Sequence, residues 1–357
     1  MPIVPLYGHA ALRTRFRESA ARNTLPSSIL LHGPRGVGKQ RLALWLGQLL
    51  VCTGEGERPC GVCASCRYCG ELAHPDVRWF FPRPRLADAD ASAEDVQVDY
   101  VDAVAERVAA AGLYAPPSGS EGIFVAAVRA IVRLAALTPT MARRKVFVVG
   151  DAERTVPQEG SEFAANAFLK LLEEPLPDTT LVLTSSEPDT LLPTIRSRVV
   201  SVRLTRVADD DVRRFLAEPR VSSRLDKAGV PESLDERLRI ANGAPGALFA
   251  DASREEAAAA ARAFLSAVAG GRSERVRAAL GFGGSKARGF FSEVLDALTL
   301  LLRDRAREAA HRRDGRAALA AGQAVEVVER AKMRASGNVS PQLLAASLAR
   351  ELAELGA

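Results

Sequence analysis

The 357-residue chain is longer than one ordinary hydrophobic core can organise, so two or three domains are expected. With 47% hydrophobic and 25% charged residues it reads as globular rather than disordered, and no apolar run approaches the roughly 18 residues of a membrane span. The formal net charge of +5 permits nucleic-acid contact without demanding it, and the start MPIVPLYGHA lacks the basic and apolar regions of a signal peptide.

Residues 10–23 have amphipathic spacing and are expected to be helical. Ser28–His32 (SILLH) is a short apolar run of the kind that forms a buried parallel strand. It leads into Gly33-Pro34-Arg35-Gly36-Val37-Gly38-Lys39, after which residues 39–50 return to helical spacing. Strand, glycine loop and helix in that order make a phosphate-binding loop, in which backbone N–H groups and a lysine surround the phosphates. The pattern continues with a Ser or Thr hydroxyl on Mg²⁺, but this chain has Gln40. An amide is a poor inner-sphere ligand for a hard dication, so Mg²⁺ is not expected. Lys39 and the loop amides could still hold ATP or ADP, or Gln40 or Arg41 could plug the pocket.

All five cysteines come next: Cys52, Cys60, Cys63, Cys66 and Cys69. Thiolates this close, in C-x2-C pairs, can wrap one tetrahedral Zn²⁺; the alternative is a set of unpaired or redox-active thiols. Five thiols for four places leave two ligand sets. Either Cys52, Cys60, Cys63 and Cys66 bind with Cys69 spare, or Cys60, Cys63, Cys66 and Cys69 do. No base lies beside them, so a structural zinc is expected rather than a catalytic one.

HPDVRWF at 74–80 suggests a second strand. Residues 82–122, rich in Pro, Ala, Asp, Gly and Ser, suggest an insertion with one helix at about 96–111. A helix over 123–136 precedes a strand at Lys145–Val149. In a P-loop ATPase an acid at the end of that strand holds Mg²⁺. Here the position is Gly150, and Asp151 stands where the water-activating acid would be. A one-residue slip would restore the metal-holding acid, and Asp151 could otherwise simply cap the next segment.

AANAFLKLL at 164–172 reads as a helix that stops before Pro175. Strands at 180–184 and 199–204 complete a parallel α/β sheet with both faces covered. Between them, Pro193-Thr194-Ile195-Arg196-Ser197-Arg198 could aim Arg198 at a neighbouring subunit's nucleotide, or form an ordinary surface ion pair. Residues 207–250 suit a small helical unit, followed by a linker near 250–254. From Ser253 the Ala/Leu/Arg-rich sequence suggests about five helices, broken at glycines 270–271 and 281–284, at Gly315 and at residues 336–337.

Together, Gly8-His9, GPRGVGK at 33–39, the inserted cysteines, HPDV at 74–77, NAFLKLLEEP at 166–175 and LLPTIRSR at 191–198 resemble a known family. It is that of the bacterial clamp-loader subunits of the AAA+ class, most closely the delta-prime type of the DNA polymerase III holoenzyme. The ending NVSPQLLAASLARELAEL is similar to the last collar helix of that type. The resemblance implies an α/β P-loop domain at 1–204, containing a zinc module (about 52–69) and the insertion (about 82–122). A helical lid at 205–252 and an all-α collar at 253–357 would follow.

It also implies a cytoplasmic protein without membrane contact, in a hetero-pentamer with tau/gamma and delta subunits that places a sliding clamp on primer–template DNA. In that assembly the delta-prime type hydrolyses nothing and lends its Ser-Arg pair, here Ser197 and Arg198, to the adjacent ATPase. Two departures stand out. The type's Ser-Arg-Cys reads Ser197-Arg198-Val199, and Pro245-Gly246 is followed by Ala247 instead of an ATP-sensing arginine. Two other readings stay open. An ATP-hydrolysing tau/gamma motor subunit is opposed by Gln40, Gly150 and Ala247, and by a sequence expected to end with the collar. A stand-alone zinc nucleic-acid-binding protein is opposed by an aromatic content of only 5%, which leaves few rings for base stacking.

Overall fold

The computed structural model describes residues 3–86, 91–115, 117, 121–155, 162–228, 230–249, 252–283, 287–335 and 339–356. The chain divides into two compact units, one ending at Phe249 and the other made of the residues from 250 on.

The first unit opens with α1 (Ala10–Ala21), β1 (Ser28–His32), α2 (Lys39–Val51), α3 (Ala64–Gly70) and β2 (Val77–Phe80). It continues with α4 (Ala93–Ala109), α5 (Val125–Ala135), β3 (Lys145–Val149), α6 (Glu162–Glu173), β4 (Thr179–Ser185), α7 (Pro193–Arg196) and β5 (Val200–Arg203). The strands form one parallel sheet in the order β2-β3-β4-β1-β5. Every residue of β3 and β4 is buried, as a sheet covered on both faces requires. Leu42, Leu46 and Leu49 of α2 and Ile131 of α5 join the strands in one core.

Polar side chains fix the connections. The Asp76 carboxylate accepts backbone N–H bonds from Thr140 (2.6 Å), Met141 (2.7 Å) and Ala142 (2.6 Å), tying the approach to β3 to the start of β2. Ser92 caps α4: its hydroxyl accepts from the Asp95 amide at 3.1 Å, and Asp95 Oδ2 accepts from the Ser92 amide at 3.0 Å. That box starts the helix at Ala93, earlier than the apolar periodicity alone suggests. Tyr100 then donates to the Phe81 carbonyl at 2.7 Å, docking the insertion helix onto the sheet.

The expected helical region at 207–250 consists of α8 (Asp209–Leu216), α9 (Pro219–Lys227) and α10 (Leu234–Ala241). They bury Val212, Phe215, Val221 and Leu225 in a small core that also takes in Val4 and Leu113. The second unit has five helices among its described residues: α11 (Ala252–Ala269), α12 (Arg272–Leu280), α13 (Ala287–His311), α14 (Gly315–Ala335) and α15 (Pro341–Leu355). Phe291, Val294, Leu298 and Leu302 of α13 lie on one face, packing against Val328 of α14 and Leu348 of α15. The breaks at 270–271 and 281–283 fall between helices, whereas Gly315 opens α14. The breaks at Gly284 and 336–337 lie outside the described residues. So does the start of the expected linker at 250–254, and residues 252–254 already belong to α11. Among the described residues, no helix is long and apolar enough to cross a membrane.

Candidate functional site

The glycine loop joins β1 to α2 at the carboxyl edge of the sheet, where parallel α/β folds place ligands. Gly33 has φ 152° in the mirror-image region, and a Cβ there would stand 2.3 Å from the Leu204 carbonyl oxygen, so only glycine fits. Gly38, at φ 92°, turns the chain into the first residue of α2. His9 Nε2 donates to the Val37 carbonyl at 2.7 Å, holding the loop from the other side.

Lys39 is almost fully buried. Its Nζ donates to the carbonyls of Gly33 (3.0 Å) and Pro34 (2.9 Å) and to Ser186 Oγ (2.8 Å). Burial pulls its pKa down to about 8, against the opposing pull of Asp151 and Glu153.

The metal half of the site is filled by protein. Gln40 is buried, with both ends of its amide engaged. Its Oε1 accepts from Trp79 Nε1 at 2.9 Å, and its Nε2 donates to Asp151 Oδ2 at 2.9 Å. A Cβ built on Gly150 would lie 2.3 Å from Gln40 Oε1. The glutamine therefore occupies the space a side chain at 150 would need, and the two sequence departures are sterically one. Residues in this arrangement do not fit Mg²⁺: the amide turns N–H toward Asp151, and the acid is satisfied without an ion. Arg41 also lines the cavity beside the loop and donates to the Val4 carbonyl, and burial draws its pKa down to about 10.

Beside the loop lies a cavity of about 170 Å³. Its apolar wall includes Leu6, Tyr7, Phe215 and Phe249, and its polar wall Arg35, Lys39, Asp151 and Glu153. Glu153 Oε1 accepts from the Ser186 amide at 2.9 Å, whereas Oε2 is buried without a partner. Burial and then the Asp151 charge push the Glu153 pKa up. Behind Gln40, the Arg107 guanidinium from α4 lies 4.3 Å from the Trp79 ring centre and 3.9 Å from that of Tyr114.

The sulfurs of Cys52, Cys60, Cys63 and Cys66 lie within 4.8 Å of one another, with Cys60 to Cys66 and Cys52 to Cys63 each at 3.9 Å. A tetrahedral zinc with Zn–S bonds of about 2.3 Å needs sulfurs about 3.8 Å apart, so this quartet fits the ion. The Cys63 sulfur also accepts from the Cys66 amide at 3.4 Å, and Gly54 leaves room where a Cβ would be 2.4 Å from Cys60 Sγ. Cys69 belongs instead to the sheet core, and burial pushes its thiol up to about 12. The module is tied to α1 through Arg17, which pairs with Glu57 at 2.8 Å and donates to the Arg58 carbonyl at 2.7 Å.

Ser197 and Arg198 lie just after α7, away from this pocket's lining. Arg198 Nε donates to Glu173 Oε2 at 2.9 Å and Nη1 to the Thr194 carbonyl at 2.9 Å; Ser197 Oγ donates to Thr194 as well, at 3.2 Å. The Arg198–Glu173 pair is 30% and 57% exposed. Exposed pairs contribute about 0–1 kcal/mol, so this one can open readily.

Trp79, Ser186, Glu153 and Arg107 are not singled out by the sequence, whereas Glu173 is, as part of NAFLKLLEEP. Trp79 meets Gln40, Ser186 meets Lys39, Glu153 meets Ser186 and Arg107 meets Trp79 across long stretches of chain, and no spacing rule marks such pairs.

A family model described as DNA polymerase III, delta subunit, matches residues 8–208. DNA polymerase III subunit delta' of Pseudomonas aeruginosa is 34% identical over 172 residues, covering 48% of this chain and 40% of that protein. The Haemophilus influenzae subunit delta' is 31% identical over 196 residues, covering 55% and 46%. DNA polymerase III subunit gamma/tau of Mycobacterium tuberculosis is 31% identical over 170 residues, 47% of this chain and 22% of that protein. The chain spans about half the length, or less, of these curated relatives.

Proposed function

Because the chain belongs to the family described as DNA polymerase III, delta subunit, we propose that it is a non-hydrolysing subunit of the polymerase III clamp loader. In this reading residues 1–204 are the AAA+ domain, 205–252 the lid and 253–357 the collar of a hetero-pentamer with tau/gamma and delta subunits. The assembly opens a sliding clamp and sets it on primer–template DNA. The observation that carries the reading is Gln40, whose amide stands in the metal half of the loop and is bonded to Asp151. A nucleotide site without its dication loses charge neutralisation at the transferred phosphoryl group, which is the main source of phosphoryl-transfer catalysis.

What such a subunit can still give is a guanidinium. Arg198, held by weak exposed contacts, leaves Glu173 and reaches the nucleotide of the neighbouring ATPase, with Ser197 orienting it. The four-cysteine module holds a structural Zn²⁺ that closes the loop between α2 and α3 and takes no part in chemistry.

The similarity to gamma/tau raises the motor-subunit alternative, which requires turnover by this chain. The decisive experiment reconstitutes the loader with and without this chain and measures ATPase stimulated by clamp and DNA. Arg198→Ala should leave assembly intact and lower the stimulated rate, toward the roughly 10³–10⁵-fold that a finger in trans can contribute. An unchanged rate removes the finger role. ATP turnover by the isolated chain establishes the motor reading instead, and zinc-dependent nucleic-acid binding without assembly establishes the stand-alone reading.

A further inference from the structure

We propose that the outer face of the insertion helix α4 is a docking surface for a basic amphipathic helix of a partner protein. The inference stands on this helix alone and holds whether or not the chain joins a clamp loader.

The inner face of α4 holds the helix in place. Val96, Tyr100 and Ala103 are buried, and Tyr100 donates to the Phe81 carbonyl at 2.7 Å. Arg83 grips both carboxylate oxygens of Asp99, Nε donating to Oδ2 at 3.0 Å and Nη2 to Oδ1 at 2.8 Å. The Arg107 guanidinium turns inward over the rings of Trp79, Phe81 and Tyr114. A helix anchored along its length in this way presents its opposite face in a fixed geometry.

That opposite face carries an apolar seam. Val98 and Val101 are 63% and 61% exposed, and Ala105 is exposed as well. Spacings of three and four residues put them in one row, the pattern by which two helices pack side by side. A helix that packs on one face alone has polar residues on the other. Valine is also a weaker helix former than Ala, Glu or Lys, so propensity does not account for the row.

Charge selects the partner. In a chain of net charge +5, α4 carries the carboxylates of Glu94, Asp95, Asp99, Asp102 and Glu106 and a single cation, the inward Arg107. Glu94 pairs with Arg133 at 2.8 Å, Asp99 with Arg83, and Asp95 belongs to the N-terminal cap. Asp102 and Glu106 lie one turn apart and exposed beside the seam, and neither forms an ion pair among the described residues. Glu106 acts on Arg83 only from a distance. Like charges four residues apart on a helix repel, and Lys or Arg flanking an incoming apolar seam relieves that repulsion. The seam from Val98 to Ala105 is two turns, about 10 Å, long, so docking is weak, with a Kd on the order of 10 μM.

The test uses the full chain and two synthetic helical peptides of about 20 residues. Both carry the same leucine seam, flanked in one by lysines and in the other by glutamates. Fluorescence anisotropy of the labelled peptides in about 0.15 M salt reads the binding. The lysine peptide should bind at least about tenfold more tightly than the glutamate peptide. Val98→Ser combined with Val101→Ser should lose that binding without changing the charge, and at exposed positions it should leave melting close to wild type. Asp102→Lys combined with Glu106→Lys should reverse the preference between the peptides, which an indiscriminately adhesive face would not do. If the serine variant melts early, the charge-reversed chain decides alone. Four results overturn the proposal: no binding of the lysine peptide, equal binding of the two peptides, binding that survives in a stable serine variant, or a preference unchanged by charge reversal. Self-association of the chain in sedimentation, abolished by Val101→Ser, would make the occupant a second copy and overturn it too.

Discussion

At the scale of single residues, Gln40 stands where the loop pattern has a hydroxyl and serves as a structural part. Its sequence position announces the missing hydroxyl, but Trp79 as its partner is invisible there, because the two meet only when α2 packs beside β2. Gln40→Thr should create no ATP turnover while Gly150 remains. It should also destabilise the chain, since Trp79 Nε1 loses its acceptor in the interior; an unpaired buried donor costs about 1–3 kcal/mol. Urea unfolding monitored by tryptophan fluorescence measures this, and a variant as stable as wild type would contradict the geometry.

Asp76 offers a second measurement. Burial alone would raise its pKa, but three backbone N–H donors outweigh burial and hold it below the ordinary 3.8. A carboxyl depressed in the folded state stabilises fully above the unfolded value, and that stability fades as pH falls through the folded value. Asp76→Asn should therefore lower stability at neutral pH by about 1.5–3 kcal/mol, the range for hydrogen bonds to charged groups. The gap to wild type should narrow only below pH 3.8. A gap constant down to that pH and beyond would show that the charge is not what matters.

At the scale of elements, the cysteine module shows the limits of spacing arguments. The C-x2-C repeats point to a set of thiols that could hold a metal but cannot rank five thiols for four places. The fold brings together Cys52, Cys60, Cys63 and Cys66 because α3 carries Cys69 round to the sheet core. That short helix was itself illegible, since ligand spacing dominates its sequence. Cys63→Ser should lose the metal, and Cys69→Ser should keep about one zinc per chain by atomic emission. Loss of zinc from the Cys69 variant would favour the other ligand set. The insertion helix was half legible: its existence followed from periodicity, whereas its start depends on Ser92 and Asp95, which cap rather than pack.

At the scale of the whole molecule, the alternation of strands and helices reads directly from the chain, and the sheet follows with its strands where the apolar runs predict them. The grouping of parts is less direct. Helices α8–α10 bury their apolar faces with Val4 and Leu113, residues far away in sequence, so the first unit extends to Phe249. No local composition change signals such a closure.

The fit between Gln40 and Gly150 couples the two positions. An aspartate arriving alone at 150 collides with the glutamine, and a threonine arriving alone at 40 strands an indole. Either substitution made alone therefore disturbs the same buried pair of positions.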